Sequence, residues 1–250
     1  MGVILKTGKE IEALRKANRI VVEVLNDLRA NTTAGMSTMD MEKRARKIID
    51  KRKAKSAFLG YRGFPATLCA SVNEEIVHGI PHSKKILKEG DIVSIDFGVF
   101  VDGYCGDAAL TFPIGKVSDE KEKLMKVTRE ALHKGIEQML PGNHLSDIAR
   151  AVQSHAESNG FSVVYQFVGH GIGRKMHEDP QVPNCGKPRP DVRLAEGMVL
   201  AIEPMINVGV PEVAVLDDGW TAVTDDGKPS AHFERSVAVT SDGPDILSDW

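Results

Sequence analysis

The residues of this 250-residue chain best suited to chemistry are four carboxylates and one imidazole. Asp96 follows Ile92-Val93-Ser94-Ile95 and precedes Phe97, Asp107 adjoins Ala108-Ala109-Leu110, and Glu203 closes Val199-Leu200-Ala201-Ile202. Glu234 lies between His232-Phe233 and Val237-Ala238-Val239. A carboxylate in an apolar strand carries a large desolvation penalty, and like charges on one face increase it, so bound cations are the natural reason for keeping four of them. Two solvated aspartates on an exposed sheet face are the alternative that spacing alone leaves open. His170, bracketed by Gly169, Gly171 and Gly173, can approach such a group closely and add one neutral nitrogen.

An oxygen-rich set with one nitrogen and no thiolate suits manganese, iron(II), cobalt or zinc without choosing among them. Four carboxylates exceed the needs of one ion with an open position. Two ions roughly 3.5–4 Å apart and bridged by acids fit the set better.

The spacing of the first two acids is interpretable because Asp102-Gly103 suits a two-residue hairpin turn, in which both central residues take positive φ. Val101 then faces Tyr104, Asp96 faces Ala109, and Asp107 projects from the same face two residues away. That diagonal puts the two acids roughly 7–8 Å apart at Cα, within reach of shared ions.

The elements that must carry these groups show two periodicities. Thr7 and Glu10 make a capping-box pattern ahead of an apolar stripe, predicting a helix to about Ala30. Ser37 and Asp40 start a second helix. A third follows Ser118 and runs to near Pro141-Gly142, and a fourth begins near Ser146 and stops at Asn159-Gly160. β-rich runs cover Thr67 to Val77, Ile92 to Val101, Gly103 to Phe112, Met198 to Ile206 and His232 to Thr240. Helices and strands grouped in pairs favour an α+β plan.

An internal echo adds a two-half architecture. Glu89-Gly90-Asp91 through Asp96 aligns with Glu196-Gly197-Met198 through Glu203, each half begins with two helices, and His78-Gly79-Ile80 and His170-Gly171-Ile172 precede the two strands.

Composition sets the outer bounds. With 42% hydrophobic and 27% charged residues, the chain can bury a substantial core, and one domain over residues 1–250 is expected, with two as the alternative. A net charge of -3 gives no general attraction to nucleic acid. The basic run Arg44 to Lys55 is read as a solvated helix face, with a ribosome contact as the minor alternative. The opening residues lack the apolar stretch of a signal peptide or membrane span, so a cytoplasmic protein is expected. Cys69, Cys105 and Cys185 are odd in number and form no Cys-x-x-Cys pair, which argues for reduced thiols. His82, His133, His144, His155 and His232 are read as structural or exposed.

Together these residues resemble the type I methionine aminopeptidases, metallopeptidases of the creatinase and aminopeptidase "pita-bread" fold. The resemblance covers about Thr7 to Leu247 and rests on Ser71-Val72-Asn73-Glu74 with His78-Gly79-Ile80-Pro81, on Asp96 and Gly106-Asp107, on Gly169 to Gly173 with His177-Glu178, on Ile202-Glu203-Pro204-Met205, and on Glu234. It implies two pseudo-symmetric halves around a curved antiparallel sheet covered by helices. It also implies two divalent ions held by Asp96, Asp107, His170, Glu203 and Glu234, with Asp107 and Glu234 bridging. Water activated between the ions would attack the first peptide bond with Glu203 as proton shuttle, while His78 and His177 hold the substrate or its oxyanion. Tyr61, Phe64, Cys69, Met176 and Trp220 would form the methionine pocket. The expected substrates are nascent polypeptide N-termini with a small second residue, handled by a monomer with a transient contact at the ribosome. Phe58 and Met176 stand where relatives vary, and Arg235-Ser236 replaces an expected His-Thr, so the pocket departs from the family pattern there. Proline-specific peptidases of the same fold would share the metal ligands. They usually carry a separate N-terminal domain, whereas this first helix starts by about residue 8.

Overall fold

Reciprocal capping boxes start the first two helices. Thr7 and Glu10 satisfy each other's backbone N–H groups at α1 (Gly8–Asn31), and Ser37 and Asp40 do so at α2 (Thr38–Arg52). A computed structural model describes residues 2–250, in which α3 spans Asp119–Ile136 and α4 spans Leu145–Ser158. α3 ends sooner than its apolar stripe predicts. After Ile136 the backbone tightens, with Gln138 N–H donating to Gly135 and Met139 N–H to Ile136, and a turn rather than a helix carries Met139 into the core.

One face of α1 explains its place. Leu14, Val21, Val24, Leu25 and Leu28 are fully buried where the helix crosses the strand Tyr104–Pro113, each contributing about 1.5–3 kcal/mol of burial. α2 keeps its basic residues in solvent, where Arg44 pairs with Asp27, Arg46 with Glu42 at 2.6 Å and Arg52 with Glu23 at 2.8 Å. The solvated-face reading holds.

The large antiparallel sheet runs, in spatial order, Lys55–Ser56, Ile92–Val101, Tyr104–Pro113, Glu234–Thr240, Val199–Ile202, Gly169–Gly171 and Glu178–Val182. Cys69–Val72 also pairs with Ile92–Val101, and Gly243–Ile246 with Glu234–Thr240. The sheet curls into a half-barrel accompanied by the four helices, the α+β plan expected.

Its centre lies between Tyr104–Pro113 and Glu234–Thr240. On either side of that join come the two echoed strands, Ile92–Val101 and Val199–Ile202, and beyond them Cys69–Val72 and Gly169–Gly171. The carboxylate echo is therefore structural. The histidine echo is not: His170 pairs with Ala201, whose counterpart Ser94 pairs with Ser71, so His170 is level with Ser71 rather than with His78.

Three of the predicted long strands are broken: Thr67 to Val77 turns at Asn73-Glu74 between Cys69–Val72 and Glu75–Val77, and the other two breaks shape the site. Val199–Ile202 belongs to the large sheet, but Pro204 has no N–H to continue the ladder, and Met205–Asn207 joins Ser230–His232 in a separate sheet. Phe233 separates Ser230–His232 from Glu234–Thr240, its N–H donating to the Pro204 carbonyl at 3.4 Å. Glu203 and Glu234 sit where the chain crosses between sheets, so their side chains face a gap.

Candidate active site

The hairpin forms the predicted register. Asp102 and Gly103 adopt φ of 50° and 81°, Val101 pairs with Tyr104, and Asp96 pairs with Ala109. Glu234 pairs with the same Ala109 from the other side. Opposite residues share a face, so Asp96, Ala109 and Glu234 form one row across three strands, with Asp107 two residues along on that face. Ala109 is the small member of this row and leaves space among the three acids.

Asp107, His170 and Glu234 are buried, and one ligand atom from each lies within 4.8 Å of the others. These three form a group able to hold a metal ion. Asp96 and Glu203 lie on the same cavity of about 190 Å³. His170 Nε2 is 3.5 Å from Glu203 Oε1 and 3.9 Å from Asp107 Oδ2. On its other side, His170 Nδ1 stands 3.0 Å from the Gly171 carbonyl, which can only accept, so Nδ1 carries the proton and Nε2 turns a lone pair toward the acids.

The electrostatics match a site built for cations. Burial, and then Asp107, push the Asp96 carboxyl well above the usual range; burial, then Asp96 and Asp107, do the same to Glu203. Burial first and the neighbouring acids second raise Glu234. Asp107 is pushed up to about 7 by burial, and His170 is pushed down to about 3 by burial and the nearby His177. Asp107 Oδ1 and Glu234 Oε1 are buried with no hydrogen-bond partner among the described residues. Unpaired buried oxygens together with a lone-pair nitrogen fit a divalent ion.

The scaffold fixes these groups through the backbone. Asp107 N–H donates to Asn18 Oδ1 at 3.2 Å, Asn18 Nδ2 donates to the Leu14 carbonyl, and Ser236 Oγ donates to the Asp107 carbonyl at 2.8 Å. Gly106 makes the first contact possible, since a Cβ there would lie 2.6 Å from Asn18 N and 2.7 Å from Ala17 C.

His78 and His177, with Tyr61, Phe64, Cys69, Met176 and Trp220, all line the same cavity, and Phe58 joins them. The His177 ring centroid is 4.2 Å from that of His170, and its Nδ1 is 2.9 Å from the Tyr61 hydroxyl. His78 has a φ of 61° and sets its ring edge-on to Phe167 and Trp220. Burial lowers its pKa to about 4, with His177 adding to the effect. Arg235 stays off the cavity and instead pairs with Asp249 and lies 4.2 Å from the Trp250 ring centroid. The Arg-Ser departure thus serves the strand and the Trp250 contact.

His232, read from the sequence as structural or exposed, lies beside the acids. It is fully buried, its Nε2 lies 4.0 Å from Glu203 Oε2, and that nitrogen has no hydrogen-bond partner among the described residues. Its only sequence signal was its place two residues before Glu234.

This architecture defines a metallopeptidase. The model of metallopeptidase family M24 matches residues 12–241, and the chain belongs to that family. It is 52% identical over 246 residues to a methionine aminopeptidase of Clostridium perfringens, covering 98% of each chain, and 48% identical to methionine aminopeptidase 1 of Bacillus subtilis, covering 98% of this chain and 99% of that one. The crystal structure of methionine aminopeptidase from Thermotoga maritima superposes with a TM-score of 0.97 at 44% identity over the whole of both chains. A prolidase from Pyrococcus furiosus shares the pita-bread fold, with a TM-score of 0.81 at 21% identity, covering 99% of this chain and 66% of its own. Within the family, these relatives group the chain with the methionine aminopeptidases.

Proposed function

We propose that this protein removes the initiator methionine from nascent polypeptide N-termini, preferring a small second residue. The observation that carries this reading is one cavity in which the three metal-competent residues Asp107, His170 and Glu234 lie beside a wall of aromatic and sulfur-bearing side chains. Phe64, Trp220, Cys69 and Met176 suit a flexible thioether, and the small volume favours one side chain over a longer segment.

Two divalent ions, held by Asp96, Asp107, His170, Glu203 and Glu234, would supply Lewis acidity and a water of lowered pKa. Glu203, on the cavity wall with its Oε1 3.5 Å from His170 Nε2, would act as the proton shuttle to the leaving amine. His78 and His177 line the same cavity as the acids, where they would donate to the peptide or to the developing oxyanion. Tyr61 holds the His177 ring by its Nδ1 contact. The working enzyme is read as a cytoplasmic monomer, one domain over residues 1–250, with a transient ribosome contact. No helix among the described residues is long and apolar enough to cross a membrane.

The test is release of methionine from Met-Ala and Met-Gly peptides, loss of activity with a chelator, and recovery with a divalent ion. Asp107→Ala should abolish metal binding, whereas His177→Ala should retain metal and slow turnover. Equal activity on X-Pro peptides would transfer the assignment to the proline-specific branch, and an ion-free His177→Ala protein would overturn the division between ligands and substrate-side histidines.

A further inference from the structure

A second cavity of about 600 Å³ adjoins the first, and Arg62, His170 and His177 line both. The smaller one holds the acid cluster, and the larger one is lined by none of Asp96, Asp107, Glu203 or Glu234. The smaller part accounts for a methionine side chain; the larger part has no role in what has been described.

The charges along the larger part cancel nearly everywhere. Lys6 pairs with Glu178 at 2.7 Å, and Arg174 stacks on Tyr104 and lies 3.8 Å from Glu10. Lys175 and Asp179 are both engaged. Arg62 differs from these. It forms no ion pair with a carboxylate among the described residues, and its guanidinium lies 5.5 Å from the Tyr61 ring centroid.

Arg62 is also held in an unusual conformation. Its φ of 49° and ψ of 22° are left-handed, in a short loop between Gly60 and Gly63 closed by the Gly60 N–H to Phe64 carbonyl bond. A non-glycine residue fixed in this region is more common at functional sites than elsewhere. The loop sets the guanidinium at the junction of the two cavities. It is close enough to His177 that its charge adds to burial in lowering the imidazole pKa.

A row of ring contacts links the acid cluster to Arg62: the His177 ring is 4.2 Å from that of His170, the Tyr61 ring 5.4 Å from that of His177, and the Arg62 guanidinium 5.5 Å from the Tyr61 ring. An extended chain advances roughly 3.3–3.6 Å per residue, so the third residue of a substrate lies roughly 7 Å past its first, and its side chain together with that of Arg62 would span the remaining distance.

We infer that the wider cavity receives the polypeptide beyond the scissile bond and that Arg62 selects an acidic side chain at the third position. This rests on the aminopeptidase reading. Because Arg62 is exposed, the preference should be modest and salt-sensitive, about 2- to 5-fold.

The experiment compares kcat/KM of the metal-loaded protein on Met-Ala-Asp-Ala-amide and Met-Ala-Lys-Ala-amide at low and high salt. The native protein should favour the aspartate peptide, Arg62→Gln should bring the ratio near one, and Arg62→Glu should invert it. The ratio is internal to each variant, so a general loss of folding or metal lowers both rates together. A ratio in Arg62→Gln equal to that of the native protein overturns the proposal. Calorimetric binding of the product peptides Ala-Asp-Ala-amide and Ala-Lys-Ala-amide provides a second readout. If no methionine is released but the aspartate product binds more tightly through Arg62, the groove assignment stands and the proposed function falls.

Discussion

His232 Nε2 faces Glu203 Oε2 across 4.0 Å in a buried gap, and Thr111 Oγ1 anchors the same histidine by accepting from its N–H at 2.9 Å and donating to its carbonyl at 2.8 Å. The backbone is thus fixed while the ring nitrogen has no hydrogen-bond partner among the described residues. The 4.0 Å separation is longer than a hydrogen bond, and a small approach of the two groups would let a ring N–H donate to Glu203 and orient it. His232→Leu should lower kcat about 10- to 100-fold, and His232→Gln, which keeps a donor, should restore most of it. Steady-state kinetics with metal content measured on each variant make the test, and native kcat in His232→Leu refutes the role.

Ala109 stands between Asp96 and Glu234 in the sheet register and leaves the space the acids share. A leucine there would fill that space from a fully buried position. Ala109→Leu should lose bound metal while keeping its far-UV circular dichroism, and Ala109→Gly should keep the metal. Full metal occupancy in the leucine variant would show that the ions lie elsewhere.

Stability of the metal-free protein should depend on pH in a direction set by the raised acids. An unfolded carboxyl titrates near 4, whereas Asp107 titrates near 7 when folded, and Asp96, Glu203 and Glu234 titrate well above the usual range. The folded chain therefore keeps protons that the unfolded chain releases, and these acids add stability as pH falls from their folded values, about 7 for Asp107, to about 4, by at most about 1.4 kcal/mol per group per pH unit. The histidines oppose this over part of the range: His78, near 4, and His170 and His232, near 3, are buried and neutral, so between about 6.5 and 4 the unfolded state gains protons on them and largely offsets the acids, and below about 4 the histidine loss stands alone. Thermal unfolding of metal-free protein should show Tm rising as pH falls toward about 6.5, changing little to about 4 and falling below that. Bound metal should remove the alkaline slope, and a Tm that rises with pH above 7 without metal contradicts this account.

Gly106 lets α1 lie against the strand that carries Asp107. Because an added Cβ would meet helix backbone and not a flexible side chain, relief requires moving α1. Gly106→Ala should cost about 1–3 kcal/mol, read as a lowered Tm, and should weaken metal binding by disturbing the Asn18–Asp107 contact. An unchanged Tm would mean that α1 shifts freely.

Much of this protein was determined by its sequence because the signals are local. Capping residues fixed the starts of α1 and α2, and Asp102-Gly103 fixed the hairpin register and with it the shared face of Asp96 and Asp107. The cost of acids in apolar strands pointed to cations. Tertiary structure decided what depends on distant pairing. Only the meeting of Tyr104–Pro113 with Glu234–Thr240 put Glu234 in the row with Asp96 and Ala109, and only the crossings at Pro204 and Phe233 turned Glu203 and His232 toward each other. No local periodicity encodes those relations, because they are set where strands far apart in sequence pair at the centre of one curved sheet.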